Sequence, residues 1–267
     1  MFMKVEVYDL EGKPVKEIEL PQQFREQVRK DIIRRVFLAI MSHKRVPYGP
    51  NPQSGFCVAW TSKRRRDYKT SYGRGISRIP RKVLVRRGSY FMWIGAKIPG
   101  TRGGRKAHPP KVEKNYYEHV NKKERRKAIR SAIAATLIEY FVKKRGHKGK
   151  SYIVVKEVED IKKTKEVVDL LKKLGLEEEL ERIEYKKIRA GKGKMRNRKY
   201  KTKVGPLFVV SNNKSGLVKA AKNIQGVDVV EVRNLNVELL APGGEPGRLT
   251  IWSEEAIKEL KEKSLFN

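Results

Sequence analysis

Four groups of side chains in this sequence are of kinds that do chemistry, and spacing decides what each can do. Cys57 is the only cysteine. It stands in a basic stretch that lowers a thiol pKa, but no partner motif for a nucleophile accompanies it. A single cysteine also excludes an internal disulfide, a cysteine zinc site and an iron–sulfur cluster. The histidines His43, His108, His119 and His147 lack close metal-ligand spacing and read as solvated or RNA-facing. Gly149-Lys150-Ser151 has the ending of a phosphate loop. Five positions before Gly149, however, stands Lys144 and not glycine, and the triplet precedes a strand instead of following one. Gly73-Arg74-Gly75 and Gly191-Lys192-Gly193 lack the third glycine and the preceding strand of a dinucleotide turn. Glu177, Glu178, Glu179 and Glu181 crowd one acidic helix, a solvated face and not an acid–base pair. The sequence therefore predicts no enzyme, no metal site and no cofactor.

Cations are what it has in excess. Lys and Arg total 63 against 30 acidic residues, a formal charge of +33 that attracts polyanions. From Lys44 to Lys111 there are 18 basic residues and one acid, Asp67, with 9 of the 21 glycines and 7 of the 12 prolines. Three stretches carry the specific signal. The first is Lys63-Arg64-Arg65-Arg66 followed by Tyr68, Lys69, Tyr72, Gly73, Arg74 and Gly75, in a segment that continues to Arg78, Arg81, Arg86 and Arg87. Guanidinium forks match phosphate oxygens bidentately, and their planes stack on bases as tyrosine does. Glycine lets a backbone approach RNA closely. The second is Gly100 to Pro110, with Arg102, Arg105, Lys106 and His108; the third is Arg189 to Lys201, with Lys192, Lys194, Arg196, Arg198, Lys199 and Lys201. Trp60, Tyr72 and Trp93 are the base-stacking candidates. The competing readings are solvated charge runs and a floppy linker. Eight aromatics between 44 and 111 argue against a linker, and the segment is expected to order on a polyanion.

Ordinary globular elements must hold these stretches. Met3–Leu10 and Val15–Leu20 alternate as strands about a Glu11–Pro14 turn. Pro21 opens a predicted helix through Phe24, Val28, Ile32, Val36 and Ile40. Asn121 and Glu124 form a capping-box pattern for a helix that runs through Phe141 and stops at Gly146. Strands then alternate with helices: a strand at Tyr152–Val155, helices from Thr164 to Leu174 and from Leu176 to Ile188, a strand at Leu207–Ser211, a helix at Ser215–Ile224 and a strand at Val227–Val232. A short strand at Ile251-Trp252 leads into a final helix capped by Ser253. This order predicts a three-layer α/β/α domain with a mainly parallel sheet, residues 1–43 and 112–267, interrupted by a long extended basic loop, residues 44–111. No run approaches the length of a membrane span, and Met1–Leu10 lacks the apolar stretch of a signal peptide. A cytoplasmic protein with no membrane partner is expected.

The motifs together carry a resemblance. Gly73-Arg74-Gly75-Ile76-Ser77-Arg78-Ile79-Pro80-Arg81, the Gly-Gly-Arg-Lys-Ala-His-Pro-Pro run from Gly103, Gly191-Lys192-Gly193-Lys194-Met195-Arg196 and Glu124 to Thr136 resemble the universal large-subunit ribosomal protein L-four family. The Gly-Lys-Gly-Lys-Met-Arg loop is similar to its archaeal and eukaryotic branch, and the short chain beyond the last helix favours the archaeal side. The resemblance implies an α/β domain on the large subunit and a loop that threads large-subunit rRNA and helps line the nascent-peptide exit tunnel. It implies partners in rRNA, in neighbouring proteins including the universal L-twenty-two, and in the nascent peptide, with a role in subunit assembly. Two other classes compete. An RNA-modifying enzyme would need a cofactor loop at the carboxyl end of a strand, and a duplex-DNA binder would need a basic helix or ribbon for the major groove.

Overall fold

The computed structural model describes residues 4–56, 65–67, 70–88, 90–149 and 152–267. Cys57, Trp60, Lys63, Arg64, Tyr68, Lys69, Lys150 and Ser151 lie outside the described residues. The chain divides into two compact units, Met1–Lys44 with Tyr117–Asn267, and Arg45–Tyr116. In chain order the elements begin with β1 (Lys4–Tyr8), β2 (Pro14–Glu19), α1 (Lys30–His43), β3 (Arg81–Arg87), β4 (Tyr90–Gly95), α2 (Lys122–Leu137) and α3 (Glu139–Lys144). There follow β5 (Tyr152–Val155), α4 (Thr164–Lys173), α5 (Glu177–Glu184), β6 (Lys187–Ile188), β7 (Tyr200–Lys201) and β8 (Leu207–Val210). The last are α6 (Gly216–Lys222), β9 (Asp228–Glu231), α7 (Val237–Leu240), β10 (Thr250–Ser253) and α8 (Glu254–Glu262).

Six strands form the main sheet in the order β2-β1-β5-β10-β8-β9. All neighbours run parallel except β2, which returns antiparallel along β1. β8 and β10 are buried on both faces, which is why β8 reads Leu-Phe-Val-Val without a polar residue. Alternate side chains feed two cores. Val7, Val154, Leu207, Val209 and Trp252 meet α1, α2, α7 and α8. Ile153, Val155, Phe208, Val210 and Ile251 meet α3, α4, α5 and α6. The expected three-layer α/β/α architecture with a mainly parallel sheet is therefore present. Among the described residues no helix is long and apolar enough to cross a membrane.

Several elements differ from the sequence expectation, each through a non-local contact. The helix predicted from Pro21 starts at Lys30, preceded by a single 3-10 turn at Gln22–Arg25. Ser131 of α2 donates to the Gln27 carbonyl at 2.9 Å and accepts from the Arg29 amide at 2.7 Å, so side-chain bonds hold the intervening backbone extended. Phe24 turns edge-on to the buried Trp252 ring, centroids 5.1 Å apart. Asn121 makes no side-chain cap bond, and Glu124 reaches Arg35 on α1 at 3.0 Å instead. The helix predicted to run to Gly146 breaks at Ile138, where φ is −87° and ψ 107°. Its residues Ala128, Ile129, Ala132 and Ile133 belong to one core and Val142 to the other, so the break carries the chain from one face of the sheet to the other. The acidic helix stops at Glu184, because Lys187–Ile188 pairs with Tyr200–Lys201.

Two buried ionic groups tie the layers together. Arg248, 1 % exposed, precedes β10 and donates to the carbonyls of Gly205, Leu239 and Gly226 and to Asp228. One guanidinium thus spans the amino ends of β8, β9 and β10. On the opposite core, His147 and Glu179 are buried, correcting the expectation of a solvated histidine and a solvated acidic face. His147 Nδ1 lies 2.7 Å from Glu179 Oε1, and Arg182 donates to both carboxylate oxygens at 2.6 and 2.7 Å. The Lys148 amide donates to the same carboxylate at 3.1 Å. Burial pushes the His147 imidazole below its usual value against the pull of Glu179. Burial also raises Glu179, but hydrogen bonds from Arg182 and His147 outweigh it and hold the carboxyl below its usual value. Burial pushes Arg145, which donates to the Glu245 carbonyl, down to about 10.

Replacing Arg248 by Met should lower unfolding free energy by about 3 kcal/mol, because the buried Gly205 carbonyl and the part-buried Leu239 and Gly226 carbonyls lose their donor. Urea denaturation measures it, and a loss below about 1 kcal/mol would refute the stapling role. Both shifts at the His147–Glu179 pair mean that the unfolded chain binds these protons more readily than the folded one. Stability should be full above His147's ordinary value of 6.5 and decline as pH falls through it, then further below Glu179's ordinary 4.5. The urea midpoint should therefore drop between about pH 7.5 and 5.5, and His147→Asn should flatten that part of the profile.

Candidate nucleic-acid interface

In the unit Arg45–Tyr116, the short apolar stretches that look isolated in sequence pair with each other. Val83 faces Trp93 and Val85 faces Met92 across an antiparallel ribbon, with an irregularity between Val83 and Val85. Gly88 takes a left-handed φ of 56° in the connecting turn. Arg86 and Arg87 are exposed on this ribbon beside Tyr90, 69 % exposed, and Met92. The Ala96 amide donates to the Pro80 carbonyl at 2.8 Å and ties the two ends of the ribbon together. The Gly100 to Pro110 motif begins in a closed loop. The Arg105 amide donates to the Lys97 carbonyl at 2.9 Å, and Thr101 Oγ1 to the Ile98 carbonyl at 2.8 Å. A side chain at Gly104 would collide with that Ile98 carbonyl, so glycine is required there. From this loop Arg102, Arg105, Lys106 and His108 face solvent.

Guanidinium and aromatic side chains are already stacked. Arg65 and Arg78 each lie 4.7 Å from the centre of the Tyr72 ring, and Arg74 lies 5.1 Å from that of Trp93. Arg81 donates to the Ser77 hydroxyl at 2.9 Å. Every ion pair between described residues lies in the α/β unit, the nearest in sequence being Lys44–Glu238. Arg65, Arg66, Arg78, Arg86, Arg87, Arg102, Arg105 and Lys106 make none among the described residues.

The third stretch is a folded ribbon. Lys187 pairs with Lys201 and Ile188 with Tyr200, and a 3-10 turn at Gly191–Arg196 closes the end. The Arg189 amide donates to Lys199 O at 2.8 Å, and the Arg198 amide to Gly193 O at 3.0 Å. Asn197 supplies the left-handed residue, φ 58°, that ends the turn. Lys192, Lys194, Arg196, Arg198, Lys199 and Lys201 are all exposed, as is Met195 at 78 %. From Tyr185 to Lys203 the sequence has no acidic residue.

A further cationic surface escapes the sequence reading. Arg29, Arg35, Lys123 and Lys127 surround a groove of about 440 Å³ between α1 and α2, with Asp31 and Glu124 among them. The four-residue spacing of Lys123 and Lys127 was the available signal, since it puts both one turn apart on α2.

The carboxyl edge of the parallel sheet, where α/β proteins place nucleotides, is acidic. Glu159 accepts from the Ser211 amide at 2.6 Å, the Ser211 hydroxyl at 2.9 Å and the Ser253 hydroxyl at 2.6 Å. Glu157, Asp160, Glu254 and Glu255 line the same hollow. Five carboxylates outnumber the two lysines, Lys162 and Lys214, that line the same hollow, so the edge disfavours the phosphates of a nucleotide. Comparison with known proteins agrees with the motifs. Residues 18–263 match the family described as Ribosomal protein L4/L1 family. The Large ribosomal subunit protein uL4 of Nanoarchaeum equitans is 55 % identical over 267 residues, covering 99 % of this chain and 100 % of that protein. The proteins of the same name from Archaeoglobus fulgidus and Pyrobaculum aerophilum are 46 % and 45 % identical, over 97 % of this chain and 99 % and 89 % of theirs. On the strength of its motifs, its near-complete match and these archaeal relatives, the chain belongs to the ribosomal protein L4/L1 family.

Proposed function

We propose that this protein is a structural constituent of the large ribosomal subunit in the cytoplasm, without enzymatic activity or cofactor, that binds large-subunit rRNA and supports assembly of the subunit. One observation carries the reading: the exposed cations Arg65, Arg66, Arg78, Arg86, Arg87, Arg102, Arg105 and Lys106 of one unit, and Lys192, Lys194, Arg196, Arg198, Lys199 and Lys201 of the ribbon, make no ion pair among the described residues, in a chain of that family. Unpaired surface cations repel one another, and a phosphate backbone supplies the missing counter-charge. The α/β domain, 1–43 and 112–267, is the anchor. The segment 44–111 is the part that threads rRNA, through Lys63 to Arg66, Tyr68, Tyr72, Arg74, Arg78, Arg81, Arg86 and Arg87 and, at its base, Arg102, Arg105, Lys106 and His108. It helps line the nascent-peptide exit tunnel, beside the universal L-twenty-two. Trp60, Tyr72 and Trp93 stack on bases, Tyr72 and Trp93 by exchanging a guanidinium for a base. The ribbon from Lys187 to Lys201 is a second footprint that fixes orientation.

The reading is tested by sucrose-gradient sedimentation of subunits from cells carrying a tagged copy. The protein should stay with large subunits through a high-salt wash; recovery as free protein would overturn the proposal. A finer expectation concerns the ribbon. Changing Lys192, Lys194, Arg196 and Arg198 to Gln should lower the slope of log affinity against log salt by roughly 3, at about 0.7–0.9 per lost phosphate contact. The loss should be nearly equal for unrelated rRNA sequences, as measured by filter binding; loss confined to one sequence would mean base readout instead.

A further inference from the structure

Helices α4 and α5 are the part of the α/β unit for which RNA binding has no use. From Glu157 to Glu184 there are ten carboxylates and six cations, a net charge of −4 within a chain of +33. Part of this is internal, since Glu179 is consumed by His147 and Arg182 and Glu178 pairs with Lys148. Glu177, Glu181 and Glu184 are different. They recur at i, i+4 and i+7, on one stripe of α5, and all three are exposed. None has an ion-pair partner among the described residues, although the chain carries 63 Lys and Arg. Like charges at this spacing repel each other on a free helix.

Beside the stripe lies a groove of about 540 Å³. Its floor is apolar, from Val168 on α4, Leu180 and Ile183 on α5, and Ile224 after α6. Val168, Leu180 and Ile224 are only partly buried, so apolar surface remains open to solvent. The far wall is fixed, because Gln225 Nε2 donates to the Ile183 carbonyl at 2.5 Å. An apolar floor under a net acidic rim of three glutamates and one lysine, Lys172, disfavours a phosphate backbone. It suits a peptide that lays an apolar side chain into the groove and sets Lys or Arg against the rim.

We propose that this groove is a protein-docking site and that its occupant is a basic segment, with Lys or Arg next to an apolar residue, of a neighbouring large-subunit protein. The inference rests on the large-subunit reading above. It assigns the two faces of the α/β unit opposite partners, cationic ribbon to RNA and acidic groove to protein. The rim charges steer and select the segment, and the apolar floor holds it.

The test places a photo-crosslinking residue, p-benzoylphenylalanine, at Lys172 on the groove rim of the full chain. After assembly in cells, large subunits are isolated and irradiated, and the cross-linked peptide is sequenced. The expected product joins position 172 to a peptide of another large-subunit protein that contains Lys or Arg beside an apolar residue. The triple change Glu177→Lys, Glu181→Lys and Glu184→Lys should cut its yield at least about tenfold by setting like charges against each other. The corresponding triple change to Gln should cut it less. Both variants should enter large subunits as the parent does, because the altered side chains are exposed and circular dichroism should be unchanged. A cross-link to rRNA, a cross-link to a second copy of this chain, no cross-link in subunits that contain the protein, or a yield indifferent to charge reversal would each overturn the docking site. Absence of the parent protein from large subunits would instead overturn the reading on which the proposal rests, and the proposal with it.

Discussion

Mutual repulsion among cations governs where this chain can pack tightly. With a formal charge of +33, a close-packed core is affordable only where carboxylates and carbonyls are on hand to receive the positive groups. The α/β unit gathers them. All ion pairs between described residues lie there, and its deepest cation, Arg248, is met by three carbonyls and one carboxylate. Glu179 plays the reciprocal part on the other core, taking bonds from His147, Arg182 and the Lys148 amide. With most carboxylates engaged in the scaffold, Arg65, Arg66, Arg78, Arg86, Arg87, Arg102, Arg105, Lys106 and the cations of the 187–201 ribbon make no ion pair among the described residues. Scaffold and binding surface are thus two halves of one charge distribution.

Much of the architecture was legible because it is written in local periodicity. The unbroken apolar runs of β5 and β8 announce strands buried on both faces, and Ser253 caps α8 as its position before Glu254 suggests, accepting from the Ala256 amide. What stayed hidden depends on partners far away in sequence. Nothing near Ile138 forbids a helix; the break exists because α2 and α3 belong to opposite faces of the sheet. Val83 to Val85 and Tyr90 to Ile94 are each too short to announce a strand alone, and only their pairing makes the ribbon. Glu179 sits in a row of glutamates that looks uniformly solvated, and only the approach of His147, 32 residues earlier, picks it out. The cationic character of the candidate site was visible at once from composition. Its order was not, since glycine-rich basic runs look alike whether free or closed by bonds such as Arg105 N–H to Lys97 O.

The aromatic side chains of the basic unit show how such a surface can be kept ready. A guanidinium lying against Tyr72 or Trp93 covers apolar ring area and gains electrostatic attraction from the ring face. A nucleobase offers the same ring a comparable contact. On the proposed rRNA-binding reading, exchange of one for the other would free the arginine for a phosphate, so two contacts would form where one was lost, with little side-chain freedom left to surrender.

The order of strands has a consequence for the making of the protein. β10 lies in the middle of the sheet, between β5 and β8, yet it is the last strand along the chain, at residues 250–253. During synthesis β5 and β8 emerge without the neighbour that joins them. The sheet stays in two pieces until that strand arrives, because a strand whose partners are distant in sequence closes late. The whole cationic stretch, 45–116, has by then long been synthesised, while the scaffold is not yet closed. Nascent chains of this design spend most of their translation as exposed polycations, and cellular polyanions or acidic escorts that cover them during those seconds would shape how many reach the folded state.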